Sequence, residues 1–111
     1  NKKVRSKARL MALSDKFNEK KLMIVDEVKL EKPSTKEAFS LLKNLGLTGN
    51  KVLLVLEEAD GTEGKSFRNI PEIVVASSNN LNAYMVLSSQ FVLFTKSSLL
   101  KFMEGQKYER S

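Results

Sequence analysis

Near its middle the sequence reads Lys51-Val52-Leu53-Leu54-Val55-Leu56-Glu57. A continuous run of Val and Leu, apolar at both alternating positions, is typical of a strand buried on both faces of a parallel sheet. Similar runs occupy residues 22–25, 73–76 and 91–94, and apolar residues at helical spacing fill much of the sequence between them. The alternation predicts an α/β fold, a three-layer sandwich whose four-stranded, mainly parallel sheet is flanked by helices and preceded by a basic N-terminal helix.

Polar residues and glycines mark the expected ends of the helices. Thr35 is placed to cap a helix that closes at Gly46, where a left-handed residue is favoured. Asn82 is placed to cap a short helix that ends by Ser88. These signals lie between the apolar runs, as the alternation of strands and helices requires.

The chain of 111 residues, 41% of them hydrophobic, is long enough for one modest core. We expect a single α/β domain over residues 1–111, divided into a basic helix at 1–21, an alternating core at 22–104 and a polar tail at 105–111. The last helix of the core is expected to open at Thr95 or Ser97 and to end before Gly105.

The composition excludes several classes of chemistry. The chain has no Cys and no His, so it offers no disulfide, no thiolate nucleophile, no zinc site of the usual ligands and no histidine base. No apolar run approaches a membrane span and no signal peptide is visible, so we expect a soluble, intracellular protein. The first residue is Asn instead of Met, which suggests a piece of a longer product.

The net charge of +6 is concentrated at the N-terminus, because residues 1–21 hold eight Lys or Arg and two acidic residues. At about 100° per residue, four of the basic side chains would fall on one side of a helix. We call these four the basic rail: Arg5, Arg9, Lys16 and Lys20. Neighbouring apolar stripes would dock the helix, which argues against a membrane anchor and predicts a rail left in water, where it can neutralise a polyanion.

The carboxyl ends of the predicted strands are where an α/β enzyme binds small ligands. Here Asp26 and Glu27 follow the first strand, and Glu57, Glu58 and Asp60 follow the second. Carboxylates repel phosphates, and no glycine-rich turn is present to cradle one, so a nucleotide site is not expected.

One alternative is a receiver-like signalling domain with an acidic site. Asp26, Glu27, a hydroxyl at Ser77 and Lys96 match such a site in type and order. The second strand, however, runs into Glu57 and its neighbour, not into the aspartate that would accept the phosphoryl group. The receiver-like domain is therefore the second hypothesis, and binding of a polyanion by the basic segment is the first.

Several short motifs occur in one order along nearly the whole chain. They are Asn1-Lys2-Lys3-Val4-Arg5, Ala12-Leu13-Ser14-Asp15-Lys16, Ile24-Val25-Asp26, Lys32-Pro33-Ser34-Thr35-Lys36-Glu37, Leu41-Leu42, Leu45-Gly46-Leu47, Ser66-Phe67-Arg68-Asn69-Ile70-Pro71, Leu81-Asn82-Ala83-Tyr84 and Val92-Leu93-Phe94-Thr95-Lys96. In this succession the chain resembles the family of the large-subunit ribosomal protein conventionally numbered four. Members of that family also carry a substantial N-terminal part with a long loop, so the resemblance implies that these 111 residues correspond to the globular remainder.

The resemblance implies a structural constituent of the large ribosomal subunit, without catalytic activity, cofactor or small-molecule substrate. Its partners would be large-subunit ribosomal RNA and neighbouring ribosomal proteins, with no membrane, in the ribosome of a cytoplasm or an organelle. Contact through phosphates and shape fits better than base reading, because the sequence offers no aromatic platform and Tyr84 is expected to pack.

Charge and resemblance together give a set of candidate RNA-binding residues. The basic N-terminal segment supplies most of them, the start of the Thr35 helix supplies two, and one family motif supplies the last two. The set is Lys2, Lys3, Arg5, Lys7, Arg9, Lys16, Lys20, Lys21, Thr35, Lys36, Arg68 and Asn69.

Overall fold

The computed structural model describes the backbone of residues 2–28 and 32–110 and the side chains of residues 7–28 and 32–105. The described residues form five helices and four strands. In chain order they are α1 (Lys2–Asn18), β1 (Leu22–Val25), α2 (Thr35–Asn44), β2 (Val52–Leu56), α3 (Thr62–Arg68), β3 (Ile73–Ser77), α4 (Ala83–Ser88), β4 (Phe91–Thr95) and α5 (Lys96–Arg110).

The four strands form one sheet in the order β1-β4-β2-β3, and every neighbouring pair is parallel. Leu54 of β2 lies between Leu93 of β4 and Val75 of β3, which fixes the register at the centre of the sheet. Each parallel connection includes a helix, as such crossovers require. The predicted α/β fold with its parallel sheet and leading helix is confirmed.

Burial on both faces holds for the two central strands and fails at the two edges. All five residues of β2 are buried, whereas Ile24 of β1 is 53% exposed and Val74 of β3 is 38% exposed. The expectation that all four strands are buried on both faces is therefore wrong for β1 and β3. Each edge strand has a neighbour on one side only, so part of its side-chain surface reaches solvent.

Alternate residues of β2 face two separate hydrophobic clusters. Val52 and Leu54 pack with Phe67 in the cluster under α2 and α3. Leu53 and Val55 pack in the cluster under α1, α4 and α5. Helices therefore cover both faces of the sheet. Helix α1, which precedes β1, belongs to the same layer as α4 and α5.

The start of α2 is shifted by one residue from the predicted position. The cap is Ser34, whose Oγ accepts a 3.2 Å hydrogen bond from the Glu37 N–H, and Thr35 is the first helical residue. The Ser34 N–H in turn donates to Ser66 Oγ at 2.8 Å, which ties the start of α2 to α3. Gly46 has φ +74°, so the predicted left-handed position is confirmed.

The caps of α4 and α5 are side-chain caps as predicted. Asn82 Oδ1 accepts a 2.9 Å hydrogen bond from Met85 N–H, and α4 ends at Ser88. Thr95 and Ser98 cap each other, because each backbone N–H donates to the other's hydroxyl, at 3.0 and 3.2 Å. Helix α5 passes through Gly105 and ends at Arg110, so the prediction that the last helix ends before Gly105 is wrong.

Candidate nucleic-acid interface

The side of α1 that faces the protein includes two of its cations. Ala12 and Leu13 are buried, and Lys16, one turn further along, is only 8% exposed. Its Nζ donates a 2.6 Å hydrogen bond to the carbonyl oxygen of Ser89, the C-terminal cap of α4. The expectation that Lys16 lies in water is wrong, because its long side chain reaches an acceptor at the end of a packed helix.

Arg9 lies two turns before Lys16 and contacts the other end of α4. Its Nη1 donates a 3.2 Å hydrogen bond to the carbonyl oxygen of Leu81, just before the helix cap. The guanidinium carbon lies 5.3 Å from the centroid of the Phe102 ring of α5, within cation–π range. Arg9 is half-buried, so it too departs from the exposed position expected of the basic rail.

Two cations therefore hold one short helix at both ends. The spacing of seven residues between Arg9 and Lys16 spans about 10 Å of α1, close to the length of α4. We call this pair the α4 clamp. Of the other two members of the rail, the Arg5 side chain lies outside the described residues, as do those of Lys2 and Lys3.

Lys20 lies beyond the helix that was expected to contain it, because α1 ends at Asn18. It has φ +61°, the only positive φ of a non-glycine residue within the described backbone. The Lys20 N–H donates to the Phe17 carbonyl at 3.0 Å, and the Lys21 N–H donates to the Lys16 carbonyl at 2.9 Å. These two bonds form a Schellman motif with Lys20 at the left-handed position.

Three of the candidate cations of the basic segment stay accessible. Lys7 and Lys20 are exposed, and the Lys21 side chain is 43% exposed. Lys21 Nζ lies 3.6 Å from Glu19 Oε2, an ion pair whose members are both open to solvent. Such surface pairs contribute little to stability, so Lys21 stays available to a stronger anion.

The residues just before the strands define the amino-end edge of the sheet. In spatial order they are Lys21 before β1, Gln90 before β4, Lys51 before β2 and Glu72 before β3. The Lys51 N–H donates to Gln90 Oε1 at 2.7 Å, and the Lys51 carbonyl accepts from the N–H groups of Gln90 and Phe91. The backbone of Lys51 is thus fixed while its side chain is exposed. Sequence reasoning missed Lys51, although it directly precedes the central strand.

The opposite, carboxyl-end edge is acidic. A cavity of about 300 Å³ lies there between the ends of the strands and the starts of α3 and α5. Its charged lining is carboxylate: Glu27, Glu57, Glu58 and Glu63. Asp26 and Asp60 are exposed near the same strand ends. This edge repels phosphate groups.

The receiver-like alternative placed its site at this edge. Glu27 Oε2 accepts a 3.2 Å hydrogen bond from Ser97 Oγ, and Lys96 is exposed at the start of α5. β2 leads directly into Glu57, and the described residues contain no group of three or more acidic side chains arranged to hold a metal ion. The arrangement does not favour the alternative.

The remaining candidates are spread over the surface. Thr35 and Lys36 are exposed in the first turn of α2, while Arg68 is exposed at the end of α3, where Asn69 forms the C-terminal cap. Tyr84 is 79% exposed, so the expectation that it packs is wrong. It lies on the outer side of α4, whose inward position is taken by Val86.

None of the helices in the described part of the chain is long and apolar enough to cross a membrane.

The sequence comparisons give one consistent family. The sequence model of the ribosomal protein L4/L1 family matches residues 1–105. The large ribosomal subunit protein uL4 of Symbiobacterium thermophilum is 41% identical over 103 residues, which are 93% of this chain and 49% of that protein. The uL4 proteins of Carboxydothermus hydrogenoformans (41% over 103 residues, 93% and 50%) and Chlorobium phaeobacteroides strain BS1 (38% over 104 residues, 94% and 50%) are similar to the same extent.

The chain spans about half the length of the curated relatives it matches. The matched region nevertheless covers nearly all of the chain, from α1 into α5. The resemblance found in the order of its motifs is therefore confirmed, and the chain belongs to the ribosomal protein L4/L1 family.

Proposed function

We propose that this chain is a structural constituent of the large ribosomal subunit that binds large-subunit ribosomal RNA and has no catalytic activity of its own. The observation that carries the proposal is the match of nearly the whole chain to relatives named as large ribosomal subunit protein uL4. Neighbouring ribosomal proteins are the other partners in this proposal, and its place is the ribosome of a cytoplasm or an organelle.

The charge distribution supports binding through RNA phosphates at the basic segment and the amino-end edge. The carboxyl-end edge presents six carboxylates, Asp26, Glu27, Glu57, Glu58, Asp60 and Glu63, with Lys96 beside them. A phosphate backbone is repelled there and attracted to exposed lysines elsewhere on the domain. In this proposal the RNA lies away from the strand ends at which α/β proteins usually bind small molecules.

Helix dipoles explain part of this charge separation. Glu63 lies in the first turn of α3, and Lys43 lies in the last turn of α2, where each complements the partial charge of its helix end. Lys51 lies outside any helix, directly before β2, and its side chain is exposed. The Lys51 side chain therefore serves no helix end, and in this proposal it is available to an RNA phosphate.

The residues of the α4 clamp have a structural role in this proposal. Arg9 and Lys16 point at α4, so we assign them to holding the helix layer together. The proposed RNA contacts are the accessible members of the candidate set together with Lys51: Lys7, Lys20, Lys21, Thr35, Lys36, Lys51, Arg68 and Asn69. Lys2, Lys3 and Arg5 belong to the same proposal on charge and family resemblance alone.

The direct test is filter binding of this chain to transcribed large-subunit ribosomal RNA of Carboxydothermus hydrogenoformans across a salt series. A size-matched RNA of scrambled sequence serves as the control. We expect tighter binding to the ribosomal RNA at physiological salt, because specificity comes from its folded surface. Equal affinity for the two RNAs would refute the proposed function.

A further inference from the structure

Lys20 occupies a backbone conformation that ordinarily belongs to glycine. In the left-handed region a Cβ atom crowds the following carbonyl, so helices usually place Gly at this position of a Schellman motif. Two other positive φ angles in the described backbone, at Gly46 and Gly49, are indeed carried by glycine. A lysine held in this conformation is strained, and such strain is a reason to look for a function of the side chain.

Stabilisation of the helix end does not account for this lysine. A cation near a helix C-terminus interacts favourably with the last carbonyls. Lys16 lies in the last turn of α1, and Lys21 lies directly after the motif, so cations are present there without Lys20. Within the described part of the chain, the Lys20 side chain makes no hydrogen bond or ion pair, and it is exposed.

Two further lysines are placed near it by the sheet. Lys21 precedes β1 and Lys51 precedes β2, and β4 lies between these two strands. Adjacent strands are about 4.8 Å apart, so the backbones of Lys21 and Lys51 are separated by about 10 Å along the edge. The hydrogen bonds of Lys51 with Gln90 fix this spacing.

We propose that Lys20, Lys21 and Lys51, here called the amino-end corner, form a binding site for the phosphate backbone of RNA, and that Lys20 is kept in its strained conformation for this contact. The inference rests on the proposed function and names the surface through which it acts. Glu19 is partly neutralised by Lys21, and Glu72, before the edge strand β3, bounds the corner on its far side.

Substitutions at Lys20 separate the strain from the charge. Lys20→Gly removes both, and we expect the melting temperature to rise by about 2–5 °C while RNA affinity falls severalfold. Lys20→Gln removes the charge and keeps the strain, so its melting temperature should stay near that of the wild type while its affinity falls. In both variants the slope of log affinity against log salt should decrease by about one. Lys20→Arg should bind as the wild type does.

The probe is the same transcribed ribosomal RNA, and Lys96→Gln is the matched control, because Lys96 is an exposed lysine at the acidic edge. The inference would be overturned if Lys20→Gly and Lys20→Gln bound the ribosomal RNA with the same affinity and salt slope as the wild type. The proposed function would remain in that case. A melting temperature of Lys20→Gly at or below that of the wild type would overturn the assignment of strain. Absence of any preference of the wild type for ribosomal RNA would instead refute the proposed function.

Discussion

Lys16 Nζ and the carbonyl oxygen of Ser89 are joined by a 2.6 Å hydrogen bond between residues 73 positions apart. The bond connects the last turn of α1 to the C-terminal cap of α4 and is buried. A cation at the C-terminus of a helix is favourable, and the buried carbonyl would otherwise lack this donor. The N-terminal helix is therefore an integral layer of the domain, although its sequence is the most basic part of the chain.

Replacement of Lys16 by Met should lower the free energy of unfolding by about 1–3 kcal/mol, because the side chain keeps its apolar stem and loses a charged hydrogen bond. Urea denaturation followed by circular dichroism measures the change. Lys65→Met is the control, since Lys65 is exposed on α3, and it should stay within about 0.5 kcal/mol of the wild type. Equal stability of the two variants would contradict the α4 clamp.

The contact between Arg9 and Phe102 should appear as an energetic coupling. In a double-mutant cycle with Arg9→Met and Phe102→Leu, we expect a coupling of about 0.5–2 kcal/mol, because the guanidinium lies over the ring in a partly buried site. Chemical denaturation of the four proteins gives this value. Additive effects of the two substitutions would show that the ring contact does not stabilise the protein.

The shifted cap of α2 gives a paired prediction. Ser34→Ala should cost about 1 kcal/mol, because the Glu37 N–H loses its acceptor. Thr35→Ala should change stability by less than about 0.5 kcal/mol, because Thr35 is an exposed first-turn residue. Thermal unfolding of both variants measures which of the two residues caps α2. A larger loss of stability in Thr35→Ala than in Ser34→Ala would show that Thr35 is the cap.

Two glycines in helices should respond in opposite directions to alanine. A Cβ at Gly64 would overlap the backbone carbonyl of Ala59, so Gly64→Ala should destabilise by about 1–3 kcal/mol. A Cβ at Gly105 meets nothing within 4 Å and lies inside α5, so Gly105→Ala should stabilise by up to about 1 kcal/mol. Calorimetry measures both. Destabilisation by Gly105→Ala would indicate that the helix ends before Gly105, as the sequence predicts.

Much of the fold follows from local sequence signals. The apolar run at Val52–Leu56 is buried along its whole length, and the caps at Asn82 and Thr95 form as predicted, because these signals depend on neighbours in sequence. The position of a strand within the sheet does not follow from local sequence signals. Ile24 is exposed because β1 lies at an edge, and strand order is decided by long-range packing.

The candidate interface was harder to predict, because residue type alone does not determine where a cation points. Helical spacing placed Arg9 and Lys16 together correctly, but the side they share packs against α4 instead of facing solvent. Lys51 was missed because its significance comes from lying two strands away from Lys21. The left-handed conformation of Lys20 follows from the termination of α1 at Asn18, which no glycine marks in the sequence.

The most direct test of RNA binding at the amino-end corner compares two triple variants that lose the same charge. Binding of each variant to the transcribed ribosomal RNA is measured across a salt series. One carries Gln at the amino-end corner, Lys20, Lys21 and Lys51, and the other carries Gln at Lys65, Lys96 and Lys101. We expect the first variant to lose about three units of salt slope and most of its affinity, and the second to stay close to the wild type. An equal loss in both variants would show that the RNA responds to net charge alone and would contradict a binding site at the amino-end corner.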